Sequence, residues 1–240
     1  MFSRQKIAMV VAEVVGTATL AVSVYSMVAR TSFPLFGGLA AGLVVGLMTV
    51  VVGSVTNAHF NPAVTLGLWT ARKVKTSTAI VLVASQMLGG VLAWTLLKYL
   101  VGRPLESLVQ GKFDWKVLVA EGIGAAVFTF GVASAVYQKY EGGKLAGTVG
   151  ASLLVGILVA SMAANGVVNP AVAVGIQSWS WAYAAGPLVG GIVGTQLYAL
   201  LFAGDFPAVR LTTARPASRA KKAPAKKPAS RAKKAPARRR

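Results

Sequence analysis

The 240-residue chain contains no cysteine and a single histidine, His59. The first absence excludes disulfides and thiolate metal sites, and the second excludes a cluster of several histidines around a metal. Acidic residues are also scarce. There are six Asp and Glu against 25 Lys and Arg, and only Glu13 and Glu121 sit deep inside apolar runs. Charged residues make up 13% of the chain, about half the share of roughly 25% usual in soluble domains. The deficit is sharper in the body of the chain, because 13 of the 25 basic residues lie in 210–240. A body this poor in charge belongs in a membrane. It carries no nucleophile–base set, metal cluster or phosphate-cradling loop, so it reads as a non-enzyme with no cofactor.

Long apolar runs fill the space that charge leaves. They cover Ile7–Ala29, Gly37–Val55, Ala79–Leu100, Lys116–Tyr137, Leu145–Ala163 and Trp181–Ala203, each close to the ~20 residues that cross a bilayer as a helix. Arg4 and Lys6 ahead of the first run resemble a signal peptide. The run is longer than a signal core and lacks a small-residue cleavage site, so it is expected to be retained as the first span. None of the runs alternates in polarity as barrel strands do. They are rich in Gly, Ala and Ser, including Gly89-Gly90 and Gly190-Gly191, which let helices approach closely.

Two further apolar segments, Asn61–Ala71 and Asn169–Trp179, are too short to span. Both begin Asn-Pro-Ala, at Asn61-Pro62-Ala63 and Asn169-Pro170-Ala171, 108 residues apart. The same offset relates Glu13 to Glu121, Gly16 to Gly124, Gly42 to Gly150 and Asn57 to Asn165. After the short segments it becomes 101, relating Gly89-Gly90 to Gly190-Gly191. A constant offset over such distinctive positions is an internal duplication. With three spans per half, the second copy must be inserted upside down. The expected fold class is therefore an all-α membrane protein: six transmembrane helices plus two re-entrant half-helices in an inverted repeat. Residues 1–209 form the channel-like domain, with halves at about 7–100 and 116–203, and 210–240 form a disordered basic tail.

Arg4, Lys6, Arg72, Lys73, Lys75, Lys139, Lys144 and the tail fall on one side of this topology. The positive-inside rule then places both termini in the cytoplasm of a multi-pass cell-membrane protein. The tail repeats a ten-residue unit at 216–225 and 228–237. Attraction to anionic lipid, nucleic-acid binding and a merely solvated, topology-reinforcing tail all remain open for it.

The twin motif carries the chemistry. Asn is a good N-cap and Pro suits the first helical turn, so each motif starts a half-helix. If the two enter from opposite faces, their N-termini meet near mid-membrane with unpaired N–H groups and partial positive charge. The Asn oxygen can accept from its own helix, which leaves the amide NH2 aimed into any lumen. A water molecule there finds donors and no good acceptor. A proton relay is interrupted and cations are repelled, while neutral molecules pass. Glu13 and Glu121 admit two readings: a proton or ion site, or structural acceptors for the non-helical loop ahead of each half-helix. His59 reads as a loop-bracing hydrogen bonder whose repeat mate is Val167.

The stretch Asn57-Ala-His-Phe-Asn-Pro-Ala-Val-Thr65 resembles the first signature of the aquaporin, or major intrinsic protein, family. Ala12-Glu13, Ala120-Glu121 and the segments around Gln86 and Pro187 resemble its helix starts and its third and sixth helices. The resemblance covers about 7–203 and implies an hourglass pore in a lipid bilayer for water or small neutral solutes, assembled as a homotetramer. The family's spacing implies an outer constriction at Ala41, Ile157, Gly166 and Val172. Val172 stands where the family usually carries an arginine, so the resemblance implies a wide, apolar, uncharged ring. Two other functions stay open: a proton- or ion-coupled transporter using Glu13 and Glu121, and a membrane anchor presenting the basic tail.

Overall fold

Among the described residues eight helices follow from the pattern of apolar runs and caps: α1 (Arg4–Val28), α2 (Pro34–Thr56), α3 (Pro62–Thr70), α4 (Thr76–Val101), α5 (Trp115–Tyr137), α6 (Gly142–Ala160), α7 (Pro170–Gly175) and α8 (Trp181–Phe202). The computed structural model describes residues 3–109 and 113–204, and no strand occurs among them. The basic segment 210–240, with the tail expected there, lies outside the described residues.

The six long helices have 19 to 26 residues and are apolar enough to cross a membrane. At 1.5 Å per residue they measure about 28–39 Å, against a hydrocarbon core of ~30 Å. Their outer faces are apolar: Leu43 is 71% exposed, Ile80 65% and Leu200 81%. Glu13, Gln86, Asn61, Glu121 and Asn169 are instead buried in the interior. The outer surface of the bundle is apolar, as lipid solvation demands, and its few polar side chains are gathered in an otherwise apolar interior.

Local chemistry sets the helix ends. The Ser3 hydroxyl accepts from the Lys6 N–H at the start of α1, and the Asp114 carboxylate accepts from the Lys116 N–H (2.8 Å) at the start of α5. One sequence-based limit is off because α7 ends ahead of a left-handed residue that is not glycine. The second short segment was expected to run to Trp179, but α7 stops at Gly175. Gln177 adopts φ 59°, and the Ser178 N–H donates back to the Ala173 carbonyl (2.9 Å). Arg72 after α3 and Lys139 after α5 close those helices in the same way, with Lys73 N–H donating to Leu68 O (2.8 Å) and Tyr140 N–H to Ala135 O (2.9 Å). This is the Schellman geometry, normally built on glycine. α5 ends at the expected Tyr137, while α6 runs from Gly142 to Ala160, three residues ahead of the expected Leu145–Ala163 at both ends.

The two halves interlock through glycine. The Cβ of an alanine at Gly42 would lie 2.6 Å from the Gly150 carbonyl, and one at Gly150 would lie 2.4 Å from the Gly42 carbonyl. Gly42 and Gly150 are repeat mates, so their mutual contact puts them on the pseudo-two-fold axis, where α2 meets α6. Each half-helix also packs on the other half's last span through a second pair. A Cβ at Gly90 in α4 would meet the Ala171 carbonyl at 2.2 Å, and one at Gly191 in α8 would meet the Ala63 carbonyl at 2.4 Å. The motif alanines thus sit against bare backbone, α3 on α8 and α7 on α4, which cross-ties the halves.

Gly90→Ala and Gly191→Ala are each expected to destabilise the fold by about 1–3 kcal/mol through overpacking. Gly147→Ala, whose Cβ would meet nothing within 4 Å, is expected to leave stability unchanged or slightly raised. Thermal unfolding of the purified protein in detergent checks all three.

Candidate functional site

Between α2 and α3, and again between α6 and α7, the chain runs as non-helical backbone in the interior of the bundle. In the first of these loops the carboxyl group of Glu13, on α1, accepts hydrogen bonds from the His59 N–H (3.1 Å) and the Phe60 N–H (2.9 Å). In the second, Glu121 on α5 accepts from the Val167 N–H (2.9 Å) and the Val168 N–H (2.5 Å). Both carboxyl groups are fully buried. The bonded residues are repeat mates, so one bracing arrangement occurs twice.

Phe60 and Val168, immediately ahead of the two asparagines, sit at φ 48° and 47°. The left-handed region costs about 1–3 kcal/mol for such residues, and a β-branched valine is the least tolerant of it. Hydrogen bonds worth about 0.5–3 kcal/mol each offset that strain. With its N–H turned to the glutamate, each residue has its carbonyl turned the other way. The Asn61 amide NH2 donates to the Val168 carbonyl (2.9 Å), and the Asn169 amide NH2 donates to the Phe60 carbonyl (2.9 Å). Each asparagine therefore holds the other half's loop. The oxygens cap their own helices: Asn61 Oδ1 accepts from Ala63 N–H (2.8 Å), and Asn169 Oδ1 from Ala171 N–H (3.0 Å) and Val172 N–H (3.3 Å). One of the two amide hydrogens of each asparagine is thus engaged across the axis, where the sequence reading had both facing a lumen.

Glycine makes room for the strained residues. A Cβ at Gly16, three residues after Glu13, would fall 2.2 Å from the Phe60 ring, and one at Gly124, three after Glu121, would fall 2.9 Å from the Val168 side chain.

The halves differ in their polar surroundings. Glu13 also accepts from Gln86 Nε2 (2.7 Å) and from the Thr56 hydroxyl. Gln86 donates to the Thr65 hydroxyl (2.9 Å), which lies 3.0 Å from His59 Nδ1. The mates of Thr56, His59, Thr65 and Gln86 are Ala164, Val167, Ala173 and Pro187, so this network is confined to the first half. The second half has its own cluster. Asn165 N–H donates to the Tyr183 hydroxyl (2.9 Å), and the Asn165 amide donates to the Ser178 hydroxyl (2.8 Å) and the Leu108 carbonyl (3.1 Å). Sequence reasoning gave no role to Thr56, Ser178 or Tyr183. A polar group inside a spanning run was the available signal for Tyr183.

Cavities open toward both faces. On the side where α1 begins and α8 ends, about 270 Å3 is lined by Asn57, His59, Val64, Phe128, Lys73 and Lys139, among others. On the opposite side, about 290 Å3 is lined by Val28, Ile157, Ser161, Asn165, Gly166 and Ile176, among others. Ile157 and Gly166 are neighbours, since a Cβ at Gly166 would lie 2.7 Å from the Ile157 carbonyl. Ala41 and Val172, 1% and 2% exposed, are not among the residues lining that cavity and join Ile157 in the buried apolar cluster.

Six spans in two inverted halves, with capped half-helices paired inside the bundle, define a multi-pass membrane protein of the channel class. Residues 3–198 match the family model described as Major intrinsic protein. The chain is 31% identical over 222 residues to Aquaporin Z of Photorhabdus laumondii, covering 80% of this chain and 96% of that protein. It is 32% identical over 192 residues to Probable aquaporin TIP1-2 of Oryza sativa subsp. japonica, covering 73% of this chain and 75% of that protein. Its fold is similar to the X-ray structure of the aquaglyceroporin from Plasmodium falciparum, with TM-score 0.69 and 20% identity, covering 82% of this chain and 96% of that one. The chain belongs to the major intrinsic protein family, whose members are membrane channels and not enzymes.

Glu13→Ala would leave the donors of Thr56, His59, Phe60 and Gln86 without their acceptor, whereas Glu121→Ala would do so for Val167 and Val168. At about 1–3 kcal/mol per orphaned buried donor, both variants are expected to unfold at lower temperature, Glu13→Ala the more so. Melting curves in detergent read the difference.

Proposed function

We propose that the chain is a passive pore for water and small uncharged solutes such as glycerol, with an outer ring of Ala41, Ile157, Gly166 and Val172 and no arginine in it. The observation that carries this reading is the reciprocal pairing of Asn61 and Asn169. Their oxygens are engaged by their own half-helices and their amides face the opposite loop. A water arriving between Asn61-Pro62-Ala63 and Asn169-Pro170-Ala171 meets the remaining amide N–H donors, while the Phe60 and Val168 carbonyls beside them already accept from those amides, so a hydrogen-bonded relay of protons is broken there. With six residues, α7 contributes a shorter dipole than the nine-residue α3. The asparagine amides therefore carry most of the donor array.

An apolar ring offers a solute no compensation for lost hydration, but it also imposes no charge and leaves space beside a small glycine and alanine. Solutes wider than water are tolerated, and exclusion of cations rests on the donors at the centre. Glu13 and Glu121 serve as loop braces, because their oxygens are already engaged by loop N–H groups. That engagement favours a channel over a proton-coupled transporter. His59 braces the first loop through Thr65. The basic residues Arg4, Lys6, Arg72, Lys73, Lys75, Lys139 and Lys144 share the side of the termini, which puts that side in the cytoplasm of a cell membrane. The apolar outer faces suit a homotetramer in the bilayer, and the basic segment 210–240 suits the anionic inner leaflet.

Stopped-flow light scattering of proteoliposomes tests the reading. Fast shrinkage under an impermeant sugar, followed by re-swelling under glycerol, is expected. Shrinkage at the rate of protein-free vesicles would overturn a passive pore. Val172→Arg is expected to lower glycerol flux more than water flux, and an unchanged ratio would remove Val172 from the ring.

A further inference from the structure

The connector that leaves α4 after Gly102 turns back over the outer mouth. Leu105 is buried there and anchors it. Three residues on, both backbone polar groups of Leu108 are bonded to the second half. Its N–H donates to the Gln177 carbonyl (2.9 Å), and its carbonyl accepts from the Asn165 amide (3.1 Å). Asn165 is itself held by the Tyr183 and Ser178 hydroxyls. The backbone of Leu108 is thus fixed to the turn that closes α7 and to the loop that leads into it.

Leu108 is 37% exposed, which for a leucine in a connector fixed at both polar groups calls for a reason. It lines two cavities of the outer mouth, the one of about 290 Å3 that Ile157 and Gly166 also line and a second of about 390 Å3 beside Tyr183. Ser161, Ala164 and Asn165 line both as well. Leu108 therefore stands where the two cavities adjoin, and its carbonyl holds the Asn165 amide there. A partly exposed aliphatic side chain, on backbone hydrogen-bonded at both polar groups, thus lines the same cavity as Ile157 and Gly166.

We propose that Leu108 is a specificity-determining residue of the outer mouth: a fixed aliphatic post that screens solutes by width before the ring, with Asn165 as its positioning residue. The inference rests on the channel reading above. Because the chain has no cysteine, a single introduced thiol can be addressed cleanly. Leu108→Cys, labelled in detergent with a bulky charged thiol reagent and then reconstituted, is expected to lose water flux to the rate of protein-free vesicles. Ser107→Cys, an exposed neighbour lining neither cavity, is expected to take the label and keep its flux. Leu108→Ala is expected to raise flux of a four-carbon polyol relative to glycerol with water flux unchanged, and Asn165→Ala to move that ratio the same way. Labelled Leu108→Cys with full flux, or an unchanged polyol ratio in Leu108→Ala, overturns the role of Leu108. If Asn165→Ala lowers all fluxes in proportion, Asn165 is structural only. Absence of flux in the unlabelled parent would instead overturn the channel reading, so the two failures are told apart.

Discussion

Backbone that leaves helical geometry inside a bilayer has no water to satisfy it, and the two buried carboxyl groups answer that constraint. Glu13 and Glu121 take the N–H groups of His59, Phe60, Val167 and Val168, which no helix could pair. Once those N–H groups are fixed, the left-handed turns at Phe60 and Val168 are fixed, and with them the direction of both carbonyls. The carbonyls then receive the asparagines of the opposite half. Four polar residues on four elements thereby hold two half-helices end to end. An unpaired buried carboxyl would be among the costliest groups a membrane protein could carry. Here it is the fixed point from which the centre of the bundle is built.

Close helix approach is the second requirement. Lipid tails compete with side chains for apolar contact, so helix association has to come from fit and backbone proximity. Gly90 against Ala171 and Gly191 against Ala63 supply it at the points where the half-helices need a wall. The alanines of the twin motif are chosen for size as much as the asparagines are chosen for polarity. Gly16 and Gly124 clear a place for Phe60 and Val168 in the same way.

Much of this architecture was legible in the sequence because it is written in side chains that have few other uses. Twin Asn-Pro-Ala segments, a repeated 108-residue offset and glutamates inside apolar runs leave little freedom in the fold class. What stayed hidden depends on backbone. The acceptors for Asn61 and Asn169 are carbonyls of Val168 and Phe60, and a carbonyl has no residue signature. The stop before Gln177 uses a left-handed residue that looks like an ordinary helix former. For that reason the second half-helix was read four residues too long. Leu108 lies in a connector without periodicity, and only its two hydrogen bonds reveal that it is held.

The reciprocal asparagine bonds have the form of an isologous dimer interface, in which residue i holds j and j holds i. In two identical chains every substitution at such an interface lands twice, and a change good for one copy must suit the other. Joining the copies into one chain removes that coupling. The first half carries Gln86, Thr65 and His59 where the second has Pro187, Ala173 and Val167, while the shared frame of Glu, Gly and Asn is untouched. One face of the molecule is therefore free to vary in polarity and rigidity without disturbing the other, as two mouths opening on different compartments require.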